Sequence, residues 1–333
     1  MPKADLVLEG GGVKGIGLVG AVLGLMREGY VFPRVAGTSA GAIVAAFLAA
    51  GVDRDGLSGV MERLDYRRVP DRASPGIPAL SEGMSLLWAA GAYEGDYIHD
   101  FLERELAALG IRTFADLRRT DDEADGNLTP YQRYKLVVMA TDLSHGRLLR
   151  LPWDYPLLEL DPDEQRVADA VRASISIPLY FEPVEIRDGS GKEITLVDGG
   201  VLSNFPIEAF DRTDGARPRW PTLGVKVIPQ LPAGDPQLFP VSALSALPPL
   251  HLLERVIATA IVGNDQTYVE RPCVRRRAIQ VDASAVGIVE FDASESKRAE
   301  VLASGERAAD AFLGEWDWDA YKRDCRPSAG RDQ

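Results

Sequence analysis

The chain has 333 residues and a formal net charge of −13, from 37 basic and 50 acidic side chains. With 46% hydrophobic and 26% charged residues, it has the balance of a globular protein with a sizeable core. Its acidity argues against nucleic acid as a partner and gives no electrostatic attraction to anionic lipid headgroups, so any membrane contact would be apolar and local.

Asp5 to Glu9 reads as a short buried strand stopped by glycine, and Lys14 to Glu28 as a helix ended by Gly29. Val31 to Ala36 reads as a second strand leading into Gly37-Thr38-Ser39-Ala40-Gly41, and Ala40 to Ala50 as a helix of small residues. This alternation predicts an α/β fold, with a mostly parallel sheet and helices on its faces. A helix is expected over 53–66. Residues 70–97 then turn rich in Pro, Gly and Ser around an apolar centre of Met84, Leu86, Leu87 and Trp88. That segment reads either as a loop with a short packed helix or as a cap over a site.

Tyr97 to Leu109 is expected to be helical and 121–132 a solvated loop. Residues 134–143 form a strong strand pattern that pairs with Arg147 to Leu151 as a hairpin. A helix ending near Ser174, a turn at Pro178 and a strand follow, then a strand over 193–200 and another over 222–228. The Pro- and Leu-rich stretch 229–252 is a second loose apolar segment. Beyond it the pattern predicts a helix from Leu253 to Tyr268, a strand over 274–283 and a helix from Ser294 to Leu313. Arg275, Arg276 and Arg277 read as a solvated or sheet-edge charge run. Residues 1–325 read as one catalytic domain with its motifs in 5–228, and 326–333 as a frayed tail.

Two cysteines, Cys273 and Cys325, lie far apart with no CxxC, so a disulfide is not expected and a reducing compartment fits best. The start of the chain lacks a signal-peptide pattern, and no apolar run reaches the roughly 18 residues of a spanning helix. The expected location is cytoplasmic, at most peripheral at a membrane. The three histidines form no metal-binding motif, so a zinc site is not expected; no cofactor is expected either.

The chemistry concentrates in three places. Gly37 to Gly41 is a GxSxG pentapeptide between a strand and a helix, where flanking glycines permit the tight turn that exposes a nucleophilic serine. A plain helix start at Thr38-Ser39 is the competing reading. Gly10 to Gly15, GGGVKG, reads either as a dinucleotide or phosphate loop or as an oxyanion hole built from the amides of Gly10, Gly11, Gly12 and Val13, with Lys14 opening the helix. The dinucleotide reading expects an acidic residue closing the second strand, and that strand closes in GTSAG instead. The third place is Asp198, which ends a strand and is followed by Gly199-Gly200. A free aspartate, with a pKa of about 3.9, is a weak base for an alcohol unless held close and desolvated; an ordinary Asp-Gly turn is the alternative. His145, at a strand end in TDLSHG, is the only rival base.

Taken together, GGGVKG, GTSAG and VDGG in this order resemble the patatin-like phospholipases. The likeness continues in ATDLSHGRL, in ASISIPLYFEPV and in DGGVLSNFPI, where Asn204 and Pro206 stand at the family's Asn and Pro. Lys14 occupies a place where many members carry Arg. The resemblance implies a three-layer α/β/α fold and a Ser-Asp dyad acting without histidine. Ser39 would be the nucleophile and Asp198 the base. The oxyanion hole would lie in Gly10 to Gly15, chiefly the amides of Gly11 and Gly12. Thr38, Ala40, Gly41, Gly199, Gly200 and Asn204 would support the motifs. The implied substrate is a lipid acyl ester, with transient membrane contact through 70–97 and 229–252.

Overall fold

The computed structural model describes residues 1–71, 93–119, 132–214, 216–227, 248–263 and 265–326. The readings made for most of 121–132, 70–97 and 229–252, and for the tail beyond Arg326, fall outside them.

Aliphatic β1 (Asp5–Leu8) is wholly buried and forms the middle of the sheet. On one side it pairs in parallel with β2 (Val35–Thr38), which pairs in parallel with β3 (Leu136–Asp142). On the other side it pairs in parallel with β7 (Thr222–Lys226), and β7 with β8 (Ala278–Gln280). Buried on both faces, such strands read as continuous apolar runs. Antiparallel pairs complete the sheet. β4 (Arg147–Leu151) and β6 (Glu193–Asp198) both pair with β3, and β5 (Val184–Arg187) pairs with β6. The expected α/β architecture, a mostly parallel sheet flanked by helices, is the one formed.

The helices are α1 (Gly15–Arg27), α2 (Ala40–Ala49), α3 (Arg54–Arg63), α4 (Asp96–Ala108), α5 (Val167–Ser174), α6 (Pro248–Gly263), the short α7 (Gln266–Val269) and α8 (Pro272–Arg275), α9 (Glu295–Glu315) and α10 (Trp318–Cys325). The glycines of α1 serve packing against α9: a side chain at Gly20 would meet the Leu302 carbonyl at 2.0 Å. Ser294 caps α9 by accepting from the Lys297 amide, as the sequence indicates.

Several expectations need correction. β2 starts at Val35 rather than Val31, because Pro33 has no amide to donate and leaves Val31 with only an isolated bridge to Lys3. The strand expected over 274–283 shrinks to β8, since Pro272 starts a helical turn that takes in Val274 and Arg275. Within the arginine run, Arg276 is exposed and pairs with Asp324. Arg277 is instead buried and grips Asp211 with two nitrogens, at 2.6 and 2.7 Å. Cys273 and Cys325 are joined by a disulfide, their Cα atoms 5.5 Å apart.

Candidate active site

β2 ends at Thr38 and α2 begins at Ala40, which leaves Ser39 alone at the turn. Its backbone sits at φ 52° and ψ −125°, a conformation that costs a residue with a side chain on the order of 1–3 kcal/mol. The turn closes because Gly37 lacks a Cβ; one there would meet the Gly41 carbonyl at 2.4 Å. Ser39 is held in this bend at 5% exposure, at the positive end of a ten-residue helix. Its amide donates to Ser174 Oγ at 2.9 Å.

Strand register brings the carboxylate to the serine. Thr38 lies opposite Met139, and Asp198, arriving from the antiparallel β6, lies opposite the next residue, Ala140. The two strand ends therefore meet along β3. The Ser39 hydroxyl is near enough to act on the Asp198 carboxylate and favours its charged form. That carboxylate accepts the Gly200 amide at 2.7 Å. Two backbone bonds fix Asp198 from behind. Its amide donates to the Ser176 carbonyl at 2.9 Å, and its carbonyl accepts from Thr141 Oγ1 at 3.0 Å. Burial dominates its electrostatics and raises its pKa to about 7, although the Ser39 hydroxyl and the Gly200 amide pull the other way.

The glycine loop is anchored to β7 at its root. Glu9 is buried, accepts the Val227 amide at 2.7 Å and pairs with Lys226. Gly12 adopts φ 54°, and a Cβ on it would meet the Ile288 carbonyl at 2.1 Å, so only glycine fits. The four amides named from sequence are not equivalent. The Val13 amide donates to Ile288 at 2.8 Å and the Gly10 amide to the Asn204 carbonyl at 3.1 Å. Both are already engaged. The amides of Gly11 and Gly12 have no acceptor among the described residues. Gly15 lies against Ala40, where a Cβ would meet the Ala40 Cβ at 2.7 Å, so the loop and the serine turn pack directly together. Burial lowers the pKa of Lys14, against the influence of Asp282 and Glu9.

Asn204 joins the two motifs. Its Nδ2 donates to the Gly10 carbonyl at 3.1 Å, while its own amide and that of Phe205 are clamped by Asp265 at 2.7 and 2.6 Å. Nothing in the sequence pattern singled out Asp265; Ser174 and Ser176 were visible only within ASISIPLYFEPV, Ser174 also as the expected helix end.

His145 is committed elsewhere. Its Nδ1 lies 2.8 Å from Asp142, and its amide donates to the same carboxylate at 3.1 Å, which Arg147 also holds. It is a turn residue capping Asp142. His99 Nε2 bonds with Asp169 at 2.7 Å. His99, Asp100 and Glu103 are grouped closely enough to ligate a cation, but none of them belongs to the group around Ser39.

Ser39 opens onto a narrow apolar slot of about 50 Å³. Ile43 and Val44 of α2, Met61 of α3 and Ile175, Ile177 and Phe181 line it. Acyl chains suit such walls; a charged phosphate does not.

A hydrolase is the class that this fold and serine turn define. The sequence profile of the patatin-like phospholipases matches residues 6–211, and the chain belongs to that family. It is 34% identical to the uncharacterized protein YqhO of Bacillus subtilis, over 94% of this chain and 98% of that one. It is 28% identical to an uncharacterized NTE family protein of Mycobacterium tuberculosis, over 92% of this chain but only 46% of the relative. Among solved structures, VipD from Legionella pneumophila superposes with a TM-score of 0.52 at 20% identity, over 93% of this chain and 66% of VipD. Among the described residues, no helix is long and apolar enough to cross a membrane.

Proposed function

We propose that the protein is a serine esterase that hydrolyses acyl esters of phospholipids, lysophospholipids or related lipids through a Ser39–Asp198 dyad. One observation carries this reading: strand register sets the buried Asp198 carboxylate beside Ser39, which lines an apolar slot. Ser39 Oγ attacks the acyl carbonyl while its proton passes to Asp198. The amides of Gly11 and Gly12 receive the oxyanion, where each donor is worth roughly 100- to 1000-fold in rate. Collapse expels the alcohol, which takes the proton back from Asp198 and leaves an acyl group on Ser39. Water, deprotonated by Asp198, then attacks the acyl carbon; the bond to Ser39 Oγ breaks, Oγ takes the proton back from Asp198, and the carboxylic acid leaves. A base with a pKa near 7 is matched to both proton transfers.

The test is hydrolysis of p-nitrophenyl butyrate together with fatty-acid release from lysophosphatidylcholine. Release of both products is the expected result. If neither substrate is cleaved while NAD or ATP raises the unfolding temperature, the glycine loop is a phosphate cradle and the esterase reading fails.

The slot makes a separate prediction. With so little open volume, added bulk at its wall blocks a chain. Ile43→Trp is expected to lower kcat/KM for p-nitrophenyl octanoate by on the order of tenfold more than for the acetate ester. Equal losses on the two esters would remove the slot from acyl binding.

A further inference from the structure

The end of α5 touches both members of the dyad. Ser174, its last residue, accepts the Ser39 amide on its hydroxyl at 2.9 Å. Two residues later the Ser176 carbonyl accepts the Asp198 amide, also at 2.9 Å. Both serines are fully buried. The residues that alternate with them, Ile175 and Ile177, face the other way and form part of the apolar slot.

The segment is itself locked. Ser176 Oγ donates to the Arg172 carbonyl at 2.9 Å and accepts from Arg172 Nη1 at 2.5 Å. Arg172 in turn donates to the carbonyls of Glu94 and Glu182.

We infer that Ser174 to Ser176 is a strap that sets the spacing of nucleophile and base, and that Ser174 is a positioning residue for Ser39. The inference rests on the proposed dyad. Ser39 precedes the first turn of α2, where the helix offers its amide no partner. A buried amide left unpaired is costly, so the strained turn is held where a hydroxyl waits for it. With that hydroxyl removed, the Thr38–Ser39 peptide rotates toward another acceptor and carries the Ser39 side chain off Asp198. A displacement of about 1 Å at a reacting atom costs on the order of 100-fold in rate. The Asp198 side, held through a main-chain carbonyl, is untouched by the change.

Ser174→Ala tests the strap. Counted per active site by titration with a fluorophosphonate, kcat for p-nitrophenyl butyrate is expected to fall by about ten- to 100-fold, with KM within about twofold. The apparent pKa is expected to rise, because Asp198 stays buried while the Ser39 hydroxyl that holds it down moves away. Ser174→Cys keeps the volume but offers only a weak acceptor, and its kcat is expected to lie between the two. An unchanged kcat per titrated site in either variant would reduce Ser174 to a packing residue and overturn the inference. A crystal structure of Ser174→Ala tests the strap apart from any activity. Ser39 is expected to leave φ near 52° and its hydroxyl to move away from Asp198; an unchanged backbone and side chain would overturn the strap even if the protein hydrolysed no ester.

Discussion

Replacing Ser39 by Ala is expected to lower kcat for p-nitrophenyl butyrate by at least about 10⁴-fold, because the oxyanion donors alone retain only a small part of the catalysis. The fold is expected to survive, since Ala keeps the Cβ and leaves the amide bond to Ser174 in place. A second effect follows at Asp198. The Ser39 hydroxyl is one of the two influences that hold this carboxyl down against burial. Its removal is expected to push the Asp198 pKa above 7, which carbon-13 NMR of labelled aspartate would detect. A variant that kept most of its activity would mean that another residue carries the nucleophile.

Asp198→Asn is expected to separate activity from stability. The proposed dyad uses the ionised carboxylate, so kcat/KM is expected to rise with pH through about 7 and level off above it. Asn supplies no base, and its activity is expected to be lost at every pH. Stability runs in the opposite sense. The folded pKa of about 7 lies above the ordinary value of 3.8, so the folded state holds the proton more tightly than the unfolded chain. The resulting stability is fully present below pH 3.8 and is lost as pH rises through about 7. At pH 8 the buried charge then costs the fold about 4 kcal/mol, at 1.36 kcal/mol per unit. Asn carries no such cost. In urea titrations, Asp198→Asn is expected to be more stable than wild type at pH 8, with the advantage shrinking toward pH 4. Such a gain in stability on loss of a working group fits a site kept in a strained, desolvated state for function. An advantage independent of pH would show that the carboxylate is not desolvated in the way described.

The parts of the fold legible in the sequence are those written locally. The alternation of apolar runs with glycine turns marks β1, α1, β2 and α2 in order. Gly37 marks the Ser39 turn locally, since its constraint is the backbone of Gly41, whereas Gly41 is held to glycine by the distant Leu8 and Glu9 carbonyls. What the sequence did not disclose depends on residues far apart. Ile288, some 275 positions downstream, takes the Val13 amide, and Asn204 takes that of Gly10. The Cys273–Cys325 disulfide depends on α8 and α10 lying side by side, which no spacing announces. Arg277 looks solvated in an RRR run until Asp211 is brought to it. Ser174 is inconspicuous in a helix end, and its contact with Ser39 spans 135 positions.

Covalent labelling of the intact protein with a fluorophosphonate, followed by peptide mapping, tests the Ser39–Asp198 pairing most directly. The predicted result is a single adduct on Ser39 that forms at the wild-type rate in His145→Ala and is lost in Asp198→Asn. An adduct on a different serine, or labelling that needs His145 and proceeds unimpaired without the Asp198 carboxylate, would contradict it.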